Sequence, residues 1–228
     1  MVTILLPVYN DEAYIAECVT SIKMQTHEDF FCYIGFNGTI DRSREIVNSL
    51  VSMDTRFKIF DYGDDKGKPK TLNKLLKEVN TEFICLLDGD DIWENDKLEK
   101  QFEVRNDFNV IGTFTSYIDK NSNVTLHLSL PTDDNYIKYG MITGNNYLVN
   151  SSVFLKTIDA REVNGWDEEL EFLEDYDMWL RLYKNEKTFF NIDKYLTKHR
   201  IHSESNFNSK PSNITPHELL IKNKIIAC

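Results

Sequence analysis

The stretch Phe83-Ile84-Cys85-Leu86-Leu87-Asp88-Gly89-Asp90-Asp91-Ile92-Trp93 passes from five apolar residues to three carboxylates around one glycine. A short run that is apolar on both faces and ends in turn residues predicts a buried strand of a parallel sheet over Phe83–Leu87. Three carboxylates crowded into the following turn repel one another unless a cation sits there. Hard divalent ions such as Mg²⁺ or Mn²⁺ take one or two carboxylates and complete their shell with phosphate oxygens. With Gly89 between them, Asp88 and Asp90 can both approach one bound diphosphate. The plainer reading is an acidic surface turn that caps the next helix, and for an isolated D-x-D it would prevail. The surrounding sequence decides against it.

Upstream, strand-like and helix-like segments alternate. Thr3–Leu6 is an apolar run ended by Pro7, and Asp11–Gln25 carries Ile15, Val19 and Ile22 at helical spacing, with Asp11 as a possible cap. Phe31–Phe36 precedes the turn signal Asn37-Gly38, and Asp41–Val51 is a second helix. Phe57–Phe60, Thr71–Val79 and Asp96–Val104 read as strand, helix and helix. Such βαβ repetition with short connections predicts an α/β fold, an open and mostly parallel sheet with helices on both faces. Ligands of such sheets bind outside the carboxyl ends of the strands. Pro7–Asn10, Asn37–Asp41, Asp61–Lys68 and Asp88–Asp91 then share one rim.

The second half is less regular. Val110–Ile118 and Val153–Leu155 read as strands, Asp175–Tyr183 as a helix, Thr188–Ile192 with Tyr195–His199 as a hairpin, and Pro216–Ile226 as a last helix. With 228 residues, the chain is expected to form one domain with two halves, 1–107 and 108–205, and a helical extension, 206–228. The apolar pattern at its end suggests a further domain or partner there.

A net charge of −11 and a pI near 4.9 argue against a nucleic-acid partner, which needs a basic footprint. No apolar run approaches the roughly 20 residues of a membrane span, and no secretory leader is evident, so a cytoplasmic location is expected. Cys18, Cys32, Cys85 and Cys228 form no C-x-x-C pair, which suits a reducing compartment.

At this point the chain resembles a family-2 glycosyltransferase with the GT-A nucleotide-sugar-binding fold. Ile4-Leu5-Leu6-Pro7-Val8-Tyr9-Asn10-Asp11-Glu12 is similar to the family's first strand and P-V-Y-N-E-E turn. Asp88-Gly89-Asp90-Asp91-Ile92-Trp93 is similar to its D-x-D-D segment. Asn164-Gly165-Trp166-Asp167-Glu168-Glu169-Leu170 followed by Glu174-Asp175-Tyr176-Asp177-Met178-Trp179-Leu180-Arg181 resembles its G-F-D-E…E-D-x-D-L-W-x-R stretch. Lys198-His199-Arg200-Ile201-His202 resembles a late Y-R-x-H.

The resemblance implies an inverting, metal-dependent transfer from a nucleoside-diphosphate sugar, most readily a UDP-sugar, to a hydroxyl of a glycan, lipid or protein. It implies Asp90 and His202 as ligands of Mn²⁺ or Mg²⁺, Asp88 on the ribose or a metal-bound water, and Asp175 as the base. Glu174 and Asp177 are its rivals, and helix capping is the plain alternative for Asp175. Pro7 and Tyr9 would wall the nucleobase, Lys68 would meet the diphosphate or the base, and Arg200 would pair with a phosphate. Asn145, Ser151 and Ser152 would line the acceptor side, with Thr125–Met141 and the segment after Ser203 as mobile lids. Asn37 departs from the pattern: it stands where the family usually carries a base-reading Asp, and an amide both accepts and donates. Two rivals remain. A nucleotidyltransferase would carry a Gly-rich basic loop where this chain has Pro7-Val8-Tyr9-Asn10. A non-catalytic sugar-nucleotide or glycan-binding module would be expected to lack Asp175 or the D-x-D.

Overall fold

The computed structural model describes residues 1–170, 172–202 and 214–225. Four parallel strands form one side of a nine-stranded sheet: β1 (Val2–Val8), β2 (Phe30–Phe36), β3 (Phe57–Asp61) and β4 (Phe83–Leu86), in the order β3-β2-β1-β4. All seven residues of β1 are buried because the sheet is covered on both faces. Ile4 and Leu6 pack against Ile15, Val19 and Ile22 of helix α1 (Ile15–Lys23) and Val47 of α2 (Ser43–Val51). Leu5 points the other way, onto Leu72, Leu75 and Leu76 of α3 (Lys68–Glu78). Each such side chain contributes about 1.5–3 kcal/mol of burial. Gly35 lets α3 sit close to the sheet, since a Cβ there would lie 2.6 Å from Thr71 Cγ2.

The short β5 (Ile92–Trp93) and α4 (Lys97–Glu103) follow the acidic turn, and β6 (Val110–Ile118) begins the second half. β7 (Val124–Leu128) and α5 (Asp134–Ile142) occupy the stretch expected to be a mobile lid. β7 escaped the sequence reading because it is largely solvent-exposed, without the alternation that marks a half-buried strand. β8 (Phe154–Lys156) pairs antiparallel with both β4 and β6, then come α6 (Thr157–Glu162) and α7 (Glu174–Lys184).

The expected hairpin over 188–199 is instead one strand, β9 (Phe189–Arg200), parallel to β6. Ile192 pairs with Thr113 and Tyr195 with Phe114, so Asp193 and Lys194, which read as a turn, are extra residues of a bulge. The last described helix is α8 (Pro216–Lys222). The stretch 203–213, part of which was expected to be a lid, lies outside the described residues, as does Cys228. Cys18, Cys32 and Cys85 are buried and free. No described helix is long and apolar enough to cross a membrane.

Candidate active site

The loops after β1, β2, β3 and β4 do share one rim, and hydrogen bonds fasten them together. Thr39 Oγ1 donates to Val8 O at 2.9 Å, and Ile40 N donates to Asn10 Oδ1 at 3.0 Å. Asn10 adopts φ 55°, so its side chain braces the turn. Asp41 accepts from Glu12 N at 2.9 Å and from Ser43 N at 3.0 Å, serving both the rim and the start of α2. Asp11 does not cap α1. Its carboxylate accepts from Tyr9 N at 3.1 Å and faces Gly89, where a Cβ would lie 2.5 Å from Asp11 Oδ2. A side chain at the centre of D-G-D would therefore have to displace the Asp11 carboxylate. Burial, then the charges of Asp90, Asp88 and Asp41, push the Asp11 carboxyl well above its ordinary range.

Of the pair expected to wall a nucleobase, Pro7 is buried inside β1, so Tyr9, 46% exposed, is the open surface. Lys66 lies alongside Gly38, with its ammonium 5.7 Å from the Tyr9 ring centroid. Asn37 is 3% exposed, and its buried Oδ1 has no hydrogen-bond partner among the described residues. An unpaired buried carbonyl costs about 1–3 kcal/mol, which a donor arriving there would recover.

At the acidic turn, each carboxylate has its own partners. Asp88 lies 2.7 Å from Lys68 Nζ and accepts from Asn150 Nδ2 at 3.1 Å. Asp90 Oδ2 meets His202 Nε2 at 3.0 Å. Burial and then the Asp91 charge raise the Asp90 carboxyl, while His202 pulls it back. Asp91 is fully buried, between His199 Nδ1 at 3.0 Å and Arg200 N at 2.8 Å. Burial opposes its ionisation, yet His199 and the hydrogen bonds hold its carboxyl below the ordinary value. Conversely, burial would lower His199, but Asp91 raises it to about 9.

Arg200 is not available to a phosphate. It is fully buried, donates to Asp90 O at 2.8 Å and pairs with Glu17 at 2.7 Å. Ser151 and Ser152 are likewise buried rather than lining an acceptor surface. Ser151 Oγ accepts from Asp88 N at 3.1 Å, and its carbonyl accepts from Trp93 Nε1 at 2.7 Å, so it braces the acidic turn from behind. Asn145 donates to Thr143 at the end of α5.

The second acidic run opens α7. Leu173, at φ 58°, takes the cap position, which makes Asp175 the helix's second residue and not its cap. Asp175 accepts from Tyr176 N at 2.7 Å and from Asn146 Nδ2 at 3.1 Å. Its recessed position and then the neighbouring Glu174 charge push its carboxyl up to about 7, against a lowering pull from Lys68. Glu174 lies 3.2 Å from Lys68 Nζ, the ammonium that also holds Asp88. Asp177 is fully engaged, with Arg181 at 2.7 Å and Asn223 Nδ2 at 2.9 Å, which removes it as a rival base.

The sequence reading missed Asn150 and Asn146. Asn150 reaches Asp88 because β8 runs antiparallel to β4, with Phe154 opposite Cys85. A strand of three residues offers too little pattern to reveal that pairing in advance.

Among the described residues, no three His, Cys, Asp or Glu side chains converge into a ready-made ion cage. Asp90 and His202 are a pair, a carboxylate oxygen and an imidazole nitrogen in contact, with Asp88 and Asp11 crowding the same turn. That donor set fits an ion that takes few protein ligands and completes its shell with diphosphate oxygens.

The glycosyl transferase family 2 model matches residues 3–158. An uncharacterized glycosyltransferase of Methanocaldococcus jannaschii is 28% identical over 216 residues, covering 92% of this chain and 74% of that protein. Among solved structures, S. aureus TarS residues 1–349 in complex with UDP-GlcNAc superposes with a TM-score of 0.79 at 18% identity, over 98% of this chain and 65% of that one. The mannosyltransferase PcManGT of Pyrobaculum calidifontis, in complex with GDP-Man and Mn²⁺, gives 0.69 at 12% identity, over 90% and 58%. The chain thus spans about two thirds of either solved chain or less. It belongs to glycosyl transferase family 2, has the GT-A fold, and is a glycosyltransferase.

Proposed function

We propose that this glycosyltransferase moves a sugar from a UDP-sugar to a hydroxyl of a glycan, lipid or protein acceptor, with inversion and with a divalent metal ion. The observation that carries the reading is the shared ammonium of Lys68. It joins Asp88 of the acidic turn to Glu174, next to Asp175, so both acidic runs meet at one place.

In this reading the acceptor oxygen bonds to the anomeric carbon as the carbon–oxygen bond to the diphosphate breaks. The acceptor's proton passes to Asp175. A carboxyl poised near 7 suits a general base at neutral pH, since it is both substantially ionised and basic enough to hold the proton. Asn146 fixes the carboxylate's direction through Oδ2. Tyr9 offers a half-exposed ring for the nucleobase to pack against. Asn37 Oδ1 accepts from uracil N3–H, and its amide nitrogen can donate as well, so the pocket admits bases that an ionised Asp would repel. In the same reading Asp88, which Lys68 and Asn150 hold, meets the ribose. When bound at Asp90 and His202, Mn²⁺ or Mg²⁺ supplies charge neutralisation for the leaving diphosphate. The net charge of −11 argues against nucleic acid, and the UDP-GlcNAc held by the TarS neighbour supports a nucleotide-sugar donor.

A panel of nucleoside diphosphates and nucleotide sugars, with Mn²⁺ or with EDTA, tests the donor assignment by thermal shift. Cognate binding stabilises by about 2.7 kcal/mol at a hundredfold excess over Kd. A UDP compound should raise Tm most, and more so with Mn²⁺. An equal response to every nucleotide, unaffected by metal, would remove the reading.

A further inference from the structure

Lys68 is the first residue of α3, where a cation opposes the helix dipole. Its placement there is explained by what it touches. Nζ lies 2.7 Å from Asp88 Oδ1 and 3.2 Å from Glu174 Oε1, with the side chain only 25% exposed and that of Glu174 10%. No second cation pairs with Glu174 among the described residues. Asp175 follows Glu174 directly, and its carboxylate is met by Asn146 from the segment after α5 and by the Tyr176 amide of its own helix. The charged groups that bear on it are Glu174 on α7, Lys68 on α3 and Asp88 at the end of β4.

We infer that Lys68 is a positioning residue that couples the donor turn to the base: by holding Glu174 against Asp88 it keeps a second negative charge from suppressing ionisation of Asp175. This rests on Asp175 being the base. Without the cation, two neighbouring carboxylates share a recess, and one of them retains a proton at neutral pH. Lys68 and Glu174 therefore act on Asp175 in opposite senses. A role confined to holding the fold has no reason to produce opposite signs.

The decisive experiment is a ¹³C-detected carboxyl titration of Asp-labelled protein, with the Asp175 signal assigned by its loss in Asp175→Asn. The wild-type midpoint should fall near 7. Lys68→Met should move it up by about one pH unit or more, since an opposite charge at this range is worth about that much. Glu174→Gln should move it down by a similar amount, and Lys68→Arg should return it close to wild type. Midpoints that stay put in both Lys68→Met and Glu174→Gln, or that move the same way, would overturn the inference. Should Lys68→Met not fold, Lys68→Gln, which can still donate to Asp88 but carries no charge, takes its place: an upward shift supports the inference and an unmoved midpoint overturns it. The slow hydrolysis of UDP-GlcNAc with Mn²⁺, followed against pH in the same variants, separates this from the reading beneath it. If the low-pH limb follows the NMR midpoint, both stand. If the midpoint moves while the limb does not, the coupling holds and Asp175 is not the base.

Discussion

The turn Asp88–Asp91 and the opening of α7, Glu174–Asp177, each hold three acidic residues, yet the two runs are built for different work. In the turn, every carboxylate has a basic partner: Asp88 has Lys68, Asp90 has His202, and Asp91 has His199. In the helix, Glu174 has Lys68 and Asp177 has Arg181, while Asp175 is met, among the described residues, by an amide side chain and a backbone N–H. Partnership sorts these groups. Asp91 marks one end, where His199 and its hydrogen bonds hold a fully buried carboxyl below its ordinary value, and Asp175, met by neutral donors, marks the other, raised toward 7, where it can exchange a proton.

The largest expected effect tests that sorting within α7. Asp175→Asn keeps the shape and removes the basicity, so transfer to a surrogate acceptor should fall by about 10²–10⁴-fold while Tm stays level or rises as repulsion with Glu174 is relieved. If Asp175→Asn transfers at near wild-type rate while Glu174→Gln does not, the base is misassigned. Asp177→Ala should do the reverse in kind. It removes the carboxylate partner of Arg181 from a pair whose Asp177 side chain is 1% exposed, a loss of about 3 kcal/mol and thus roughly 10 °C in Tm. A calorimetric scan showing Asp177→Ala as stable as wild type would contradict the division.

How much of this was legible in sequence follows from the same contrast. The parallel half was readable because each strand is apolar over its whole length and each helix carries a stripe, as in Val2–Val8 and Leu72, Leu75 and Leu76. The runs Asp88–Asp91 and Glu174–Asp177 were readable as acidic motifs. Their internal roles were not, because partners such as Asn150, Asn146 and Arg181's contacts with Val163 O and Gly165 O arrive through long-range packing. Arg200 shows the limit most clearly. A basic residue beside two histidines reads as a phosphate ligand, but a fully buried guanidinium bonded to Asp90 O, Asp119 O and Glu17 is a clamp on the turn.

The pair His199–Asp91 sharpens the comparison through pH. His199 titrates near 9 in the folded protein, above its usual value, so its contribution is fully present below about 6.5 and fades as pH rises through 9. Asp91 is shifted the other way, so its contribution is present above the ordinary carboxylate range and fades only in acid. Stability should therefore decline between about pH 7 and 9.5, by about 2 kcal/mol, and His199→Gln should flatten that slope. Denaturant melts across this range check it, and an unchanged slope in the variant would show that the pair does not titrate with folding.

The smallest effect concerns the base pocket. Asn37→Asp places a carboxylate where the amide oxygen now lacks a partner, which should shift preference toward uridine nucleotides by about 1 kcal/mol, roughly fivefold. Identical base profiles before and after the change would show that Asn37 does not read the base.

Donor and proton are assigned to different acidic runs joined through Lys68, and titration calorimetry of UDP with Mn²⁺ puts that division to the test. Asp175→Asn should bind UDP within about twofold of wild type, while Asp90→Asn should bind at least tenfold more weakly and lose its response to Mn²⁺. Equal affinity in both variants, or loss of binding in Asp175→Asn with Asp90→Asn intact, would contradict it.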